Sequence, residues 1–126
     1  MLHKFFALLF FASLHAMAAT PAELLAGYTA QAGQSANAAK GEAFFKASHG
    51  QEWQCTSCHG KLPMSGGRHA STDKAIEPLA PAANAKRFTD SAKVEKWFRR
   101  NCKDVLAREC SAAEKADVLA WLISVR

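Results

Sequence analysis

The run Cys55-Thr56-Ser57-Cys58-His59 constrains this chain more than any other feature. Two thiols three positions apart can add to the two vinyl groups of one haem, and the adjacent imidazole can then turn onto the iron from the same side. Four other readings compete with haem attachment. A five-residue pattern can arise by chance. A thioredoxin-like redox pair needs a βαβ setting that the surrounding sequence lacks. A direct Cys55–Cys58 disulfide would be strained. A zinc site using all four cysteines has ligands enough, but its second half, Cys102-x7-Cys110, is poorly spaced. Covalent haem c is the reading that the motif supports best.

The cellular setting agrees with it. Residues 1–18 read as a secretory signal, with a basic start at His3 and Lys4, an apolar run over 5–14 and a small-x-small pattern at Ala16-Met17-Ala18. The apolar run is too short to span a bilayer. Cleavage after Ala18 or Ala19 fits the pattern, leaving residues 19–126 as one domain. Lys4 is the only charged residue within the 18 removed, so the formal charge falls from +5 to +4. A soluble, mildly basic, periplasmic protein with no membrane span is expected, and export removes nucleic acid as a partner. Thiols and thioethers persist in such a compartment.

Composition points the same way. Large apolar residues make up about a fifth of residues 19–126, and alanine is equally frequent. A chain this short buries only about two thirds of its unfolded surface, and alanine adds little apolar area. A cross-link or cofactor is expected to complete the core.

The pattern predicts helices joined by one long loop, an all-α fold. Thr20-Pro21-Ala22-Glu23 is a capping box with proline at the first helical position, opening a helix towards Tyr28. Residues 29–37 read as a linker and 38–48 as a second helix carrying Phe44 and Phe45. Residues 60–88, with Pro63, Gly66, Gly67, Pro78 and Pro81, read as loop. Thr89 or Asp90 caps a helix running through Asn101, and Ser111-Ala112-Ala113-Glu114 opens a terminal helix to Val125.

With Cys55 and Cys58 on haem, Cys102 and Cys110 are left to each other, and a disulfide between them is favoured over two free thiols. The second axial ligand is harder to assign. Met64 lies only five residues beyond His59, a reach of about 17 Å at most, and would have to pass the macrocycle edge. His69 reads as a solvated or propionate-contacting loop residue, and His49 as an exposed residue beside a helix end. Val94, Trp97, Phe98 and Asn101 share one helical face, opposite Lys93, Lys96, Arg99 and Arg100. An asparagine closing a buried stripe could meet a haem; near a helix end it is more often a cap.

The order of several further stretches resembles a known family. Pro21-Ala22-Glu23-Leu24 with Ala26-Gly27-Tyr28, Ile76-Glu77-Pro78-Leu79-Ala80-Pro81, Arg87-Phe88-Thr89-Asp90-Ser91, Val94-Glu95-Lys96-Trp97 and Arg100-Asn101-Cys102 are similar to the small monohaem cytochromes called sphaeroides haem proteins (SHP). So is the ending, with Cys110, Glu114-Lys115-Ala116-Asp117 and Leu119-Ala120-Trp121-Leu122. The resemblance implies a class I cytochrome c fold, haem linked at Cys55 and Cys58, His59 as proximal and Asn101 as distal iron ligand, and a Cys102–Cys110 disulfide. It further implies that the asparagine leaves the iron on reduction, that ferrous haem takes oxygen or other small diatomic ligands, and that a dihaem cytochrome donates electrons. Electron transfer with ligand binding is therefore expected. The competing expectation is a small haem enzyme turning over oxygen or nitric oxide, for which no general acid or base stands out beyond His69. Lys93, Lys96, Arg99, Arg100, Lys103 and Arg108 form either a solvated basic face or a docking patch for an acidic redox partner.

Overall fold

The computed structural model describes residues 18–126. The predicted signal segment falls almost wholly on residues 1–17, outside the described residues. Five helices account for most of the described chain: α1 (Pro21–Ala32), α2 (Ala38–Lys46), α3 (Cys55–His59), α4 (Ser91–Leu106) and α5 (Ala112–Ser124). Two strands of two residues each, β1 (Gly67–Arg68) and β2 (Ala75–Ile76), pair antiparallel between α3 and α4. No helix among the described residues is long and apolar enough to cross a membrane.

The N-termini of the longer helices are fixed by side chains in the way their sequences imply. Thr20 Oγ1 accepts from Glu23 N while Glu23 Oε2 accepts from Thr20 N at 2.8 Å, the reciprocal capping box that opens α1. Ser111 and Glu114 repeat the arrangement at α5. Asn37 caps α2 and Asp90, not Thr89, caps α4.

Three boundaries differ from the sequence reading. Helix α1 continues four residues beyond Tyr28 to Ala32, where Gly33 takes a left-handed conformation and stops it, so the linker shrinks to 33–37. Helix α2 ends at Lys46, short of Ser48. Helix α4 runs through Asn101 to Leu106, because nothing between Asn101 and Ala107 breaks it. The region 60–88 is loop except for the β1–β2 ladder.

Helix α5 is the centre of the packing. Ala116 and Leu119 on one side join Tyr28 of α1 and Val94 of α4, with Leu24, Phe98 and Ile123 packed around them. Val118, Trp121 and Leu122 on the other side join Phe45 of α2, with Phe44, Leu79 and Cys55 at the margin. A helix apolar on both flanks must be buried on both, and Leu119 and Leu122 are the two largest fully buried side chains. Phe88 and Phe98 touch both clusters, closing the seam between them.

Candidate haem site

Helix α3 is five residues long and consists of the Cys55–His59 motif alone. A single turn has little stability by itself, so its shape is imposed from outside. Gln54 N donates to Ser57 Oγ at 3.1 Å, and Gln54 Nε2 donates to Thr56 Oγ1 at 2.9 Å. At the other end Gly60 N returns to Thr56 O at 3.0 Å. The β1–β2 hairpin then lies directly on the turn. Ala70 N donates to Cys58 Sγ at 3.3 Å, and a Cβ on Gly67 would overlap the Cys58 carbonyl oxygen.

Both motif thiols are unpaired and half-buried. Cys55 packs on the α2–α5 cluster, and burial, reinforced by Cys58, pushes its thiol up to about 11. The two cysteines stand as free thiols on one turn and not as a disulfide. His59 sits beside them with its ring 6.1 Å from that of Phe45. Burial first, and then the Arg87 guanidinium, lower the imidazole to about 4, so it is neutral and available as a ligand. Its Nδ1 is buried without any hydrogen-bond partner. An orphaned buried polar atom is rare in a folded protein, and this one marks a site completed by something other than protein. Two unpaired thiols and an unsatisfied neutral imidazole on one turn are the donor set that haem c requires.

Arg87 was not singled out as a site residue by motif reasoning. Its Nε donates to Pro78 O at 2.8 Å and its Nη2 to Glu77 O at 2.6 Å, which closes the 77–87 loop, and its charge acts on His59. Its sequence signals are its place after a proline-rich loop and its part in the Arg87–Ser91 stretch that resembles the family.

Asn101 lies inside α4, five residues before the helix ends at Leu106. The left-handed residue that caps α4 is Ala107, whose N–H returns to Lys103 O, so Asn101 is not a helix cap. It is half-buried, shares a face with buried Val94 and half-buried Phe98, and its side-chain amide makes no hydrogen bond among the described residues. Trp97 departs from the expected stripe. It is 43% exposed, with Lys96 and Arg100 lying 5.9 and 5.5 Å from its ring. Apolar rings flanked by cations gain attraction that offsets incomplete burial. Cys102 and Cys110 are joined in a disulfide that ties α4 to the start of α5, immediately beside Asn101.

The other candidates lie elsewhere. Met64 is 37% exposed. His49 Nε2 pairs with Phe44 O at 2.8 Å and its ring lies tilted against that of Phe44 at a centroid distance of 4.5 Å, a helix-end contact. His69 belongs to the hairpin: its Nδ1 accepts from Ser71 N and Thr72 N, and its ring stands edge-on to Trp53.

An all-α fold organised about a Cys-x-x-Cys-His turn defines a small c-type cytochrome with one covalently attached haem. Comparison with known proteins narrows the class. The chain is 49% identical over 107 residues to the cytochrome c-type protein SHP of Cereibacter sphaeroides, covering 82% of each chain. It is 46% identical over 80 residues to cytochrome c'' of Methylophilus methylotrophus, covering 64% of this chain and 56% of that protein. The structure of oxidised SHP, an oxygen-binding cytochrome c, superposes with a TM-score of 0.79 over 83% of this chain and 96% of that one. Oxidised cytochrome c'' gives 0.72 at 37% identity, over 84% of this chain and 94% of that one. Residues 31–122 also match a family described as a domain of unknown function (DUF1924). The chain belongs to the SHP family of c-type cytochromes, and its cofactor is haem c.

Proposed function

We propose that this chain is a periplasmic electron carrier whose distal ligand, Asn101, leaves the iron on reduction and opens a position for oxygen or another small diatomic molecule. In this reading Cys55 and Cys58 form the thioethers and His59 is the proximal ligand. The haem, when bound, supplies a one-electron iron centre able to take small ligands. Asn101 offers it an amide oxygen, a weak neutral donor that favours the extra positive charge of ferric iron over ferrous iron. The observation that carries the reading is the setting of Asn101: a half-buried residue inside a helix, relieved of any capping role, whose side-chain amide has no hydrogen-bond partner among the described residues. The relatives support it. SHP is described as an oxygen-binding cytochrome c, and the solution structure of cytochrome c'', 35% identical with a TM-score of 0.72 over 82% of this chain and 92% of that one, concerns haem-ligand detachment.

Ligand binding and electron transfer are favoured over turnover by the state of His69, whose Nδ1 is engaged by its own loop. Lys93, Lys96, Arg99, Arg100 and Lys103 are exposed on α4, and none of them forms an ion pair among the described residues. This face suits an acidic redox partner such as a dihaem or membrane cytochrome, and the rate of reduction by that partner falls as salt rises.

Asn101→Ala tests the ligand assignment. An open or water-ligated ferric site is expected in this variant, and a closed low-spin carrier in Asn101→Met. A ferric spectrum unchanged in Asn101→Ala removes Asn101 from the iron.

A further inference from the structure

We propose that Tyr28 of α1 is a positioning residue for Asn101, acting through α4; this rests on Asn101 being an iron ligand. Tyr28 is 4% exposed and holds α4 at two points. Its hydroxyl donates to Glu95 Oε1 at 2.5 Å, and its ring meets the Phe98 ring edge-on at a centroid distance of 5.8 Å. Lys115 of α5 completes the clasp. Its ammonium reaches Glu95 Oε2 at 3.0 Å and lies 5.5 and 5.9 Å from the Tyr28 and Phe98 rings. The network thus joins α1, α4 and α5 around the two α4 residues that precede Asn101 by six and by three positions.

The geometry converts that grip into control of one amide. Phe98 and Asn101, three residues apart, lie on the same side of the helix. Two holds on one helix, one on a ring and one on a carboxylate, fix its rotation as well as its height. A rotation of about 10° moves an atom at the ~5 Å outer radius of a helix by about 1 Å. Metal–ligand distances tolerate only about 0.2 Å. Rotational slack that would leave core packing intact is therefore enough to detach a weak ligand. Burial, followed by the Glu95 hydrogen bond, raises the Tyr28 phenol above its ordinary value, so it remains a donor throughout the physiological range. Burial alone would raise Glu95, but its bonds to Tyr28 and Lys115 outweigh this and hold it below the usual carboxylate value.

The test uses ferric holoprotein and imidazole, a probe that must displace Asn101 to bind. Tyr28→Phe keeps the ring and removes only the hydroxyl, and Glu95→Ala removes the acceptor. Each is expected to tighten apparent imidazole binding threefold to tenfold, the range that one lost hydrogen bond produces. Glu95→Gln, which keeps an acceptor oxygen, is expected to restore weak binding. In an Asn101→Ala background the Tyr28→Phe change is expected to have no effect, since there is no amide left to position. Equal tightening in both backgrounds, or none in the native background, overturns the proposal. An Asn101→Ala spectrum identical to the native one overturns instead the ligand assignment on which it rests.

Discussion

Gly41 of α2 and Asp117 of α5 touch backbone to backbone: a Cβ at position 41 would overlap the Asp117 carbonyl oxygen. Asp117 also accepts from Asn37 N at 2.6 Å through its carboxylate, at the head of α2. One α5 residue thereby sets both the closeness of the two helices and where α2 begins. The same crossing brings Phe45 onto Val118, Trp121 and Leu122, the wall against which Cys55 packs.

Gly41→Ala is accordingly expected to destabilise the protein, although alanine is the better helix former. The clash is with backbone, which cannot swing aside, and overpacking of this kind costs about 1–3 kcal/mol. Thermal unfolding of the holoprotein checks it. A melting temperature equal to the native value or higher would mean that the two helices have room to part.

Gly67→Ala is expected to act closer to the haem. The added methyl would meet the Cys58 carbonyl oxygen and push the hairpin off α3, with a loss of about 1–3 kcal/mol. Haem content per protein should fall together with stability, whereas Gly27→Ala, which meets nothing within 4 Å, should leave haem content unchanged.

The pH dependence is carried in part by Glu114. Its carboxylate is held below the ordinary value of 4.5, first by Arg108, whose guanidinium donates to both oxygens at 2.9 and 2.7 Å, against burial and with help from Ser111 N–H. A carboxyl lowered in the folded state adds stability that is complete above pH 4.5 and is lost as pH falls through its folded value. The melting temperature of the native protein should exceed that of Glu114→Gln at neutral pH, and the gap should close on acidification. A gap constant with pH would contradict the assignment.

The Cys102–Cys110 disulfide spans eight positions. A loop that short is worth roughly 2–3 kcal/mol in the chain-entropy picture. Replacing both cysteines with serine should lower stability to denaturant by that amount with an unchanged pattern of helices by circular dichroism.

Much of this was legible in the sequence because the signals are local. The capping boxes at Thr20 and Ser111 and the Asp90 cap are chemical necessities of helix starts, and each stands where its residues imply. Helix ends were less legible. Helix α4 stops at Ala107 in a left-handed conformation that alanine does not advertise, so stopping the helix at Asn101 made a mid-helix residue look like a cap. Periodicity places Trp97 inward, yet it is 43% exposed beside Lys96 and Arg100, since a helical stripe cannot show which margin its neighbours cover. The haem turn was legible as chemistry but not as a helix, five residues being too few for a period. Arg87 and Tyr28 stand in stretches that carry the family resemblance, but their roles are not legible there because their partners, the Pro78 carbonyl and Glu95, are tertiary.

The most direct test is the visible spectrum of the purified protein in the ferric state, the ferrous state, and the ferrous state under carbon monoxide. A high-spin ferrous spectrum that shifts on adding carbon monoxide is expected if Asn101 leaves the iron on reduction. A sharp six-coordinate ferrous spectrum indifferent to carbon monoxide would contradict it and make the chain a closed electron carrier.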